Sequence, residues 1–164
     1  VMNIFALSEC PEQSALWLDD IRKNKMILES AQMLSTAIRT LCPDTSLPVY
    51  RVAYLNHPCS IWARASRGNF MWLIKHMSAL FNQKVGAHKS ADLIPAFQHY
   101  AEYGQFPDED LNGFANCARN QERGVDYSHV EDVHSAYRLY MNDRWKERNI
   151  TLTWRWGEEP EWRN

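Results

Sequence analysis

LDDIRKNKMILESAQMLSTAIRTL, residues Leu18 to Leu41, holds no Gly or Pro and is dense in strong helix formers. That composition predicts one continuous helix of about six turns. At about 100° per residue, Ile27, Ala31, Leu34, Ile38 and Leu41 share one arc, with Ile21 and Leu28 at its edge. Arg22, Lys25, Glu29, Gln32 and Thr36 share another, narrow arc. One face therefore seeds a core while another carries a ladder of guanidinium, ammonium, carboxylate and amide.

The plain reading of that ladder is a solvated face with ordinary i,i+3 and i,i+4 pairs. The chemical reading needs partial burial. A Lys beside an Arg on a desolvated face has its pKa lowered by both burial and like charge. Such a Lys acts as an imine-forming nucleophile, with the carboxylate one turn on as proton shuttle.

The totals bound the rest. A chain of 164 residues is the usual size of one domain and long enough for a real core. Apolar content of 45% and charged content of 23% are those of a soluble globular protein. A net charge of −2 gives no global basic footprint, so any nucleic-acid surface has to be a local patch. The four cysteines, Cys10, Cys42, Cys59 and Cys117, form no C-x-x-C pair and no Cys/His cluster at zinc-ligand spacing. No metal and no cofactor is expected. With no secretory signal and no apolar run of membrane-spanning length, the expected setting is a reducing cytoplasm with free thiols.

Outward from the central stretch, the elements follow in order. Met2–Leu7 is a short apolar opening, a strand or a plug across the helices. Pro11 and Glu12 mark a helix start, and Ala15 to Trp17 lead into the long helix. Pro43 ends it, and Thr45–Leu55 reads as an extended connection. Asn56-His57-Pro58 is a turn that opens a second helix to about Lys84, interrupted but not ended at Gly68 and stopped at Val85-Gly86. A third helix is expected from about Ser90 to Tyr103, closed by Gly104. Gln105–Val125, rich in Asp, Asn and Gly, is a long loop of the kind that tends to carry function. A last helix is expected over about 129–147, with Glu131 and Asp132 in its first turn and Lys146 and Arg148 in its last. The four helices, near 12–41, 58–84, 90–103 and 129–147, make an all-α, single-domain bundle over residues 1–164. It is built on the long N-terminal helix and ends in an aromatic tail, Ile150–Asn164.

Other candidate site residues carry simpler alternatives. His57 stands before a helix N-terminus, where it meets an anion held by free N–H groups or simply bonds the turn backbone. Arg64 and Arg67 are a phosphate clamp or a solvated helix face. Trp154, Arg155, Trp156, Trp162 and Arg163 interleave aromatic rings with cations, a pattern that suits bases and phosphates, or the rings fold back over the bundle. No phosphate-binding loop, dinucleotide fingerprint, H-E-x-x-H or G-x-S-x-G motif is present.

Leu18-Asp19 … Arg22 … Lys25 … Glu29 … Gln32 … Leu34, followed by Asn56-His57-Pro58, Trp62 and Arg64, resembles pyrimidine-dimer DNA glycosylases of the endonuclease V type. A branch of small uncharacterised phage proteins is similar at KMILESAQMLSTA, at NHP-x-x-x-WAR, at AYRLY and in the C-terminal Pro-x-Trp. The resemblance implies an all-α protein whose first long helix lies along the active site and whose aromatic C-terminal segment approaches DNA. It implies attack at the sugar C1′ by an N-terminal amine, forming an imine, with a glutamate assisting strand cleavage. Two departures stand out: Lys23 occupies the place of the family's glutamate after the helix arginine, and the sequence opens Val1-Met2.

On this reading the chain is a DNA glycosylase, with or without abasic-site lyase activity, that flips a damaged or modified pyrimidine from the stack. Arg22 holds phosphate, Lys25 or the N-terminal amine is nucleophile, and Glu29 manages protons. Gln32, His57, Arg64, Arg67, Trp154, Arg155 and Trp156 contact DNA. The rival from another class is a non-enzymatic phage accessory or anti-defence protein that binds nucleic acid, a nucleotide or a host protein in the host cytoplasm.

Overall fold

The computed structural model describes residues 2–84, 86–147 and 151–164, and the protein is mainly helical. The helices are α1 (Pro11–Leu16), α2 (Asp20–Leu41), α3 (Pro58–Ala65), α4 (Arg67–Asn82), α5 (Ile94–Tyr103) and α6 (Val133–Lys146). The described strands, β1 (Arg119–Asn120) and β2 (Val125–Asp126), form one antiparallel pair around a short 3-10 turn. Val1, Val85 and residues 148–150 lie outside the described residues, and with them the N-terminal amine expected as a nucleophile, the expected stop at Val85 and the expected last-turn role of Arg148.

The central stretch forms α2, but it does not run on from α1. Asp19 interrupts the helical path and caps α2, its carboxylate accepting the Arg22 N–H. The helix expected over 58–84 is likewise two helices. Ser66 is extended, and its hydroxyl accepts the Asn69 N–H to start α4 afresh. Gly68 has a different role from the interruption expected of it. A Cβ there would run into the Leu111 backbone, because the 108–111 loop lies directly on the first turn of α4. That loop satisfies two free N–H groups of the turn, from Arg67 to Asp108 O and from Gly68 to Glu109 O, each at 2.9 Å. The last helix starts later than expected because Asp132, expected in its first turn, is its cap. The third opens with a 3-10 turn, Lys89–Leu93, capped by His88.

α2 packs against α3 and α4, and α4 against α1 and α5. Met26, Ile27, Ala31, Met33, Leu34, Ala37 and Ile38 of α2 are all buried, a wider band than one helical face. The extra cover comes from the connection at 47–55. Thr36 exchanges hydrogen bonds with the Ala53 backbone, and Arg39 donates to Tyr50 O and Val49 O. The lower end of the polar ladder is thus closed by chain, and only its upper end stays accessible.

Met2–Leu7 is a plug rather than a strand. Its apolar side chains are buried, and α6 holds its backbone through His134 to Ala6 O at 2.7 Å and Arg138 to Leu7 O at 2.9 Å. The C-terminal tail folds back over the start of α2. Trp154 donates to Trp17 O, and its ring meets Trp145 edge-on at 5.3 Å. Trp162 stacks on Trp145 at 5.5 Å.

Candidate functional site

The upper ladder of α2 opens on a cleft of about 230 Å³. Arg22, Lys25, Met26 and Glu29 form one wall. The opposite wall comes from three distant parts of the chain: Asn3 and Phe5 of the plug, Asn120 of β1, and Tyr140 and Arg144 of α6. The three residues expected to do chemistry therefore do share a site.

Arg22 is 4% exposed, and its guanidinium is held at 2.9 Å by the fully buried Asp19 carboxylate. Asp19 is itself fixed by Trp145 Nε1 at 2.8 Å. A buried carboxylate with these partners leaves Arg22 little rotational freedom. Arg144 completes the cationic rim. Burial, and then the neighbouring Arg22 guanidinium, lower its pKa. Glu29 faces these groups, half-buried, and one of its oxygens accepts the Asn3 backbone N–H at 2.9 Å. Burial raises the Glu29 pKa to about 7, against the opposing pull of that hydrogen bond and of Lys25. The cleft thus joins a carboxyl with a pKa of about 7 to three cations, of which Arg22 pairs with buried Asp19 and Arg144 with the more exposed Glu147 at 3.9 Å, while Lys25 stands at the open edge. A surplus of positive charge suits an anionic ligand such as a phosphodiester, and the carboxyl suits proton transfer at neutral pH.

The lysine chemistry differs from expectation. Lys25 is exposed at the cleft edge, whereas Lys23 is the desolvated lysine. Lys23 donates to Ala15 O and to Gln83 Oε1, away from the cleft lining, and burial lowers its pKa to about 8. Gly157 of the tail lies over it, where a Cβ would come within 2.9 Å of Nζ.

The residues expected to bind DNA scatter. Gln32 is half-buried one turn beyond Glu29 and does not line the cleft. His57 caps α3, its Nδ1 accepting the Cys59 N–H at 3.1 Å, and faces a neighbouring cleft. Arg64 donates to Leu55 O. Arg67 is spent on structure: it donates to Ala101 O, Gly104 O and Glu109 Oε1 and lies over the Phe106 ring, so its donors are turned to the end of α5. Trp154 is a packing residue, as above. Arg155 hydrogen-bonds Asp20 through its backbone N–H, leaving its exposed side chain beyond the tail, and Trp156 is 62% exposed. Asn3, Asp19, Asn120 and Arg144 were not legible as site residues. Asp19 alone carried a signal, as the acid three residues before Arg22.

The neighbouring cleft, about 340 Å³, is lined by His57, Cys117, Arg119 and Met2 among others. Behind it the Cys59 thiol donates to Cys117 Sγ at 3.3 Å. All four cysteines are free thiols. No helix among the described residues is long and apolar enough to cross a membrane. Comparison with family models, with curated proteins and with solved structures finds no match for this chain.

Proposed function

We propose that the protein is a DNA-acting enzyme of base-excision type, a glycosylase with or without abasic-site lyase activity. We read it as a single helical bundle built on α2 and working in the cytoplasm. The observation that carries this reading is Glu29, a carboxyl with a pKa of about 7 in a cleft ringed by Arg22, Lys25 and Arg144. Acid–base work on a phosphate-bearing substrate needs that combination, and a plain solvated helix face does not produce it. The resemblance of the Arg22–Gln32 block to pyrimidine-dimer glycosylases supports the same substrate class.

In this mechanism Arg22 and Arg144 hold the phosphates that flank the target nucleotide. An amine attacks the sugar C1′, the base departs, and an imine forms. Lys25 supplies an amine at the cleft edge. Protonated Glu29 donates to the departing base or opening sugar and, once ionised, takes the proton that strand cleavage releases. The exposed Trp156 and Arg155 extend the contact along the DNA.

The test is borohydride trapping on duplex DNA carrying one abasic site. A covalent protein–DNA product is expected from the parent, and from Lys25→Ala only if the amine lies elsewhere in the chain. No product from the parent, with DNA still bound, removes the lyase step, and release of free base from damaged duplex then separates a glycosylase from a non-enzymatic binder.

A further inference from the structure

His57, Cys59 and Cys117 come together although 58 residues separate the two cysteines. One ligand atom from each lies within 4.8 Å of the others. Cys59 is fully buried, Cys117 nearly so, and His57 lies at the mouth, where the cleft reaches solvent. We propose that these three side chains form a binding site for one thiophilic divalent cation of the zinc type, with the fourth coordination position open to the cleft.

Distances favour a metal over a disulfide. Two thiolates at about 2.3 Å from a tetrahedral zinc stand about 3.8 Å apart, so the 3.3 Å pair has to open by only about 0.5 Å. A disulfide at about 2.05 Å requires the larger closure, of more than about 1 Å. Charge favours it as well. Loading releases the two thiol protons to solvent, and the two thiolates and a neutral imidazole then cancel the charge of a divalent cation, so no net charge is added beside Arg119. The ligand set is that of an open zinc site, three protein donors and one free position.

The imidazole has to change partners. Its Nδ1 now accepts the Cys59 N–H, which places the ring proton on Nε2. Coordination through either nitrogen removes that acceptor, so loading exchanges the helix cap for a metal–nitrogen bond. Once made, the site fastens the start of α3 to the Cys117 segment. That segment is tied onward, since Cys117 O accepts Asn3 Nδ2 at 3.1 Å and the Asn3 N–H meets Glu29.

The experiment uses the full chain, reduced with a phosphine, stripped with a chelator, desalted, and titrated with Co²⁺ and then Zn²⁺. One equivalent of Co²⁺ is expected to give a thiolate-to-cobalt charge-transfer band and intense four-coordinate d–d bands, both erased by Zn²⁺. His57→Asn separates ligand from cap, because Asn is a strong cap residue but removes the imidazole. It is expected to keep the parent fold and lose at least about tenfold in Zn²⁺ affinity. Cys117→Ser is expected to weaken the charge-transfer band and the affinity together. Absence of the band in the parent, or parent-like Zn²⁺ affinity in both variants, overturns the proposal. Should Cys117→Ser not fold, mass-mapped alkylation of the parent decides. Zn²⁺ is expected to protect Cys59 and Cys117 while Cys10 and Cys42 react unchanged, and equal labelling with and without Zn²⁺ overturns the site.

Discussion

The Glu29 carboxylate accepts the backbone N–H of Asn3 at 2.9 Å, across 26 residues of sequence. This contact sets the plug against α2, and the burial that comes with it raises the carboxyl of an otherwise ordinary helix glutamate to a pKa of about 7, outweighing the opposing pull of the hydrogen bond itself.

Glu29→Gln keeps the shape and the acceptor for Asn3 but removes the titration. Turnover on a damaged-base or abasic substrate should fall by about 10²-fold or more, the usual worth of a positioned acid or base. DNA affinity should hold or tighten, since a negative charge near phosphate is gone. Activity within about twofold of the parent would remove Glu29 from the chemistry.

The same variant reads out a pH effect on stability. The folded pKa of about 7 lies above the ordinary glutamate value of 4.5, so the folded state holds more protons between those limits. Stability from this group is therefore full below about pH 4.5 and is lost as pH rises through 7. Thermal melts of parent and Glu29→Gln should diverge in favour of the variant between pH 5 and pH 8. Parallel curves would mean the carboxyl is solvated.

Lys23 works in the opposite sense. Its folded pKa of about 8 lies below the ordinary 10.5, so the folded state holds fewer protons between the two. Its destabilising effect is present at neutral pH and is relieved as pH rises from about 8 to 10.5. The parent should gain on Lys23→Met over that range in denaturant titrations. A constant difference would show that the ammonium is not desolvated.

DNA binding should depend steeply on salt despite the overall −2. Two phosphates held by Arg22 and Arg144 give a slope of log affinity against log salt of about −1.8, and Arg144→Ala should bring it to about −0.9. A flat dependence would point to an uncharged ligand or a protein partner.

Arg67 and Trp154 should affect stability rather than binding. Arg67→Ala leaves the Ala101 and Gly104 carbonyls without their donors and should cost about 2–4 kcal/mol. Trp154→Ala should cost about 2–3 kcal/mol, under the fully buried range because its ring is half covered. Trp156→Ala should stay within about 0.5 kcal/mol in stability while weakening DNA affinity by about 1–3 kcal/mol through lost base stacking. Denaturant midpoints and binding isotherms on the same preparations separate the two effects.

The sequence by itself determined that this chain is mainly helical and that Arg22, Lys25 and Glu29 share a face. Both follow from the helical period and from the lack of Gly and Pro over Leu18–Leu41, which are local properties. It also placed the breaks approximately, at Asn56-His57-Pro58 and Gly104, because turn and cap chemistry is local too. The break at Ser66 escaped it, since a hydroxyl caps a helix only where the chain is extended, and a loop from residue 108 onward fixes that geometry. Only the tertiary structure decided that Lys23 is buried and Lys25 is not. Residues two apart on a helix differ by about 200°, and the Gln83 end of α4 and the folded-back tail cover one side alone. It alone supplied Asn3, Asn120 and Arg144 as the far wall, and brought Cys117 to His57 and Cys59. A desolvated carboxyl and a three-ligand cluster depend on groups distant in sequence, and no spacing along the chain records how they meet.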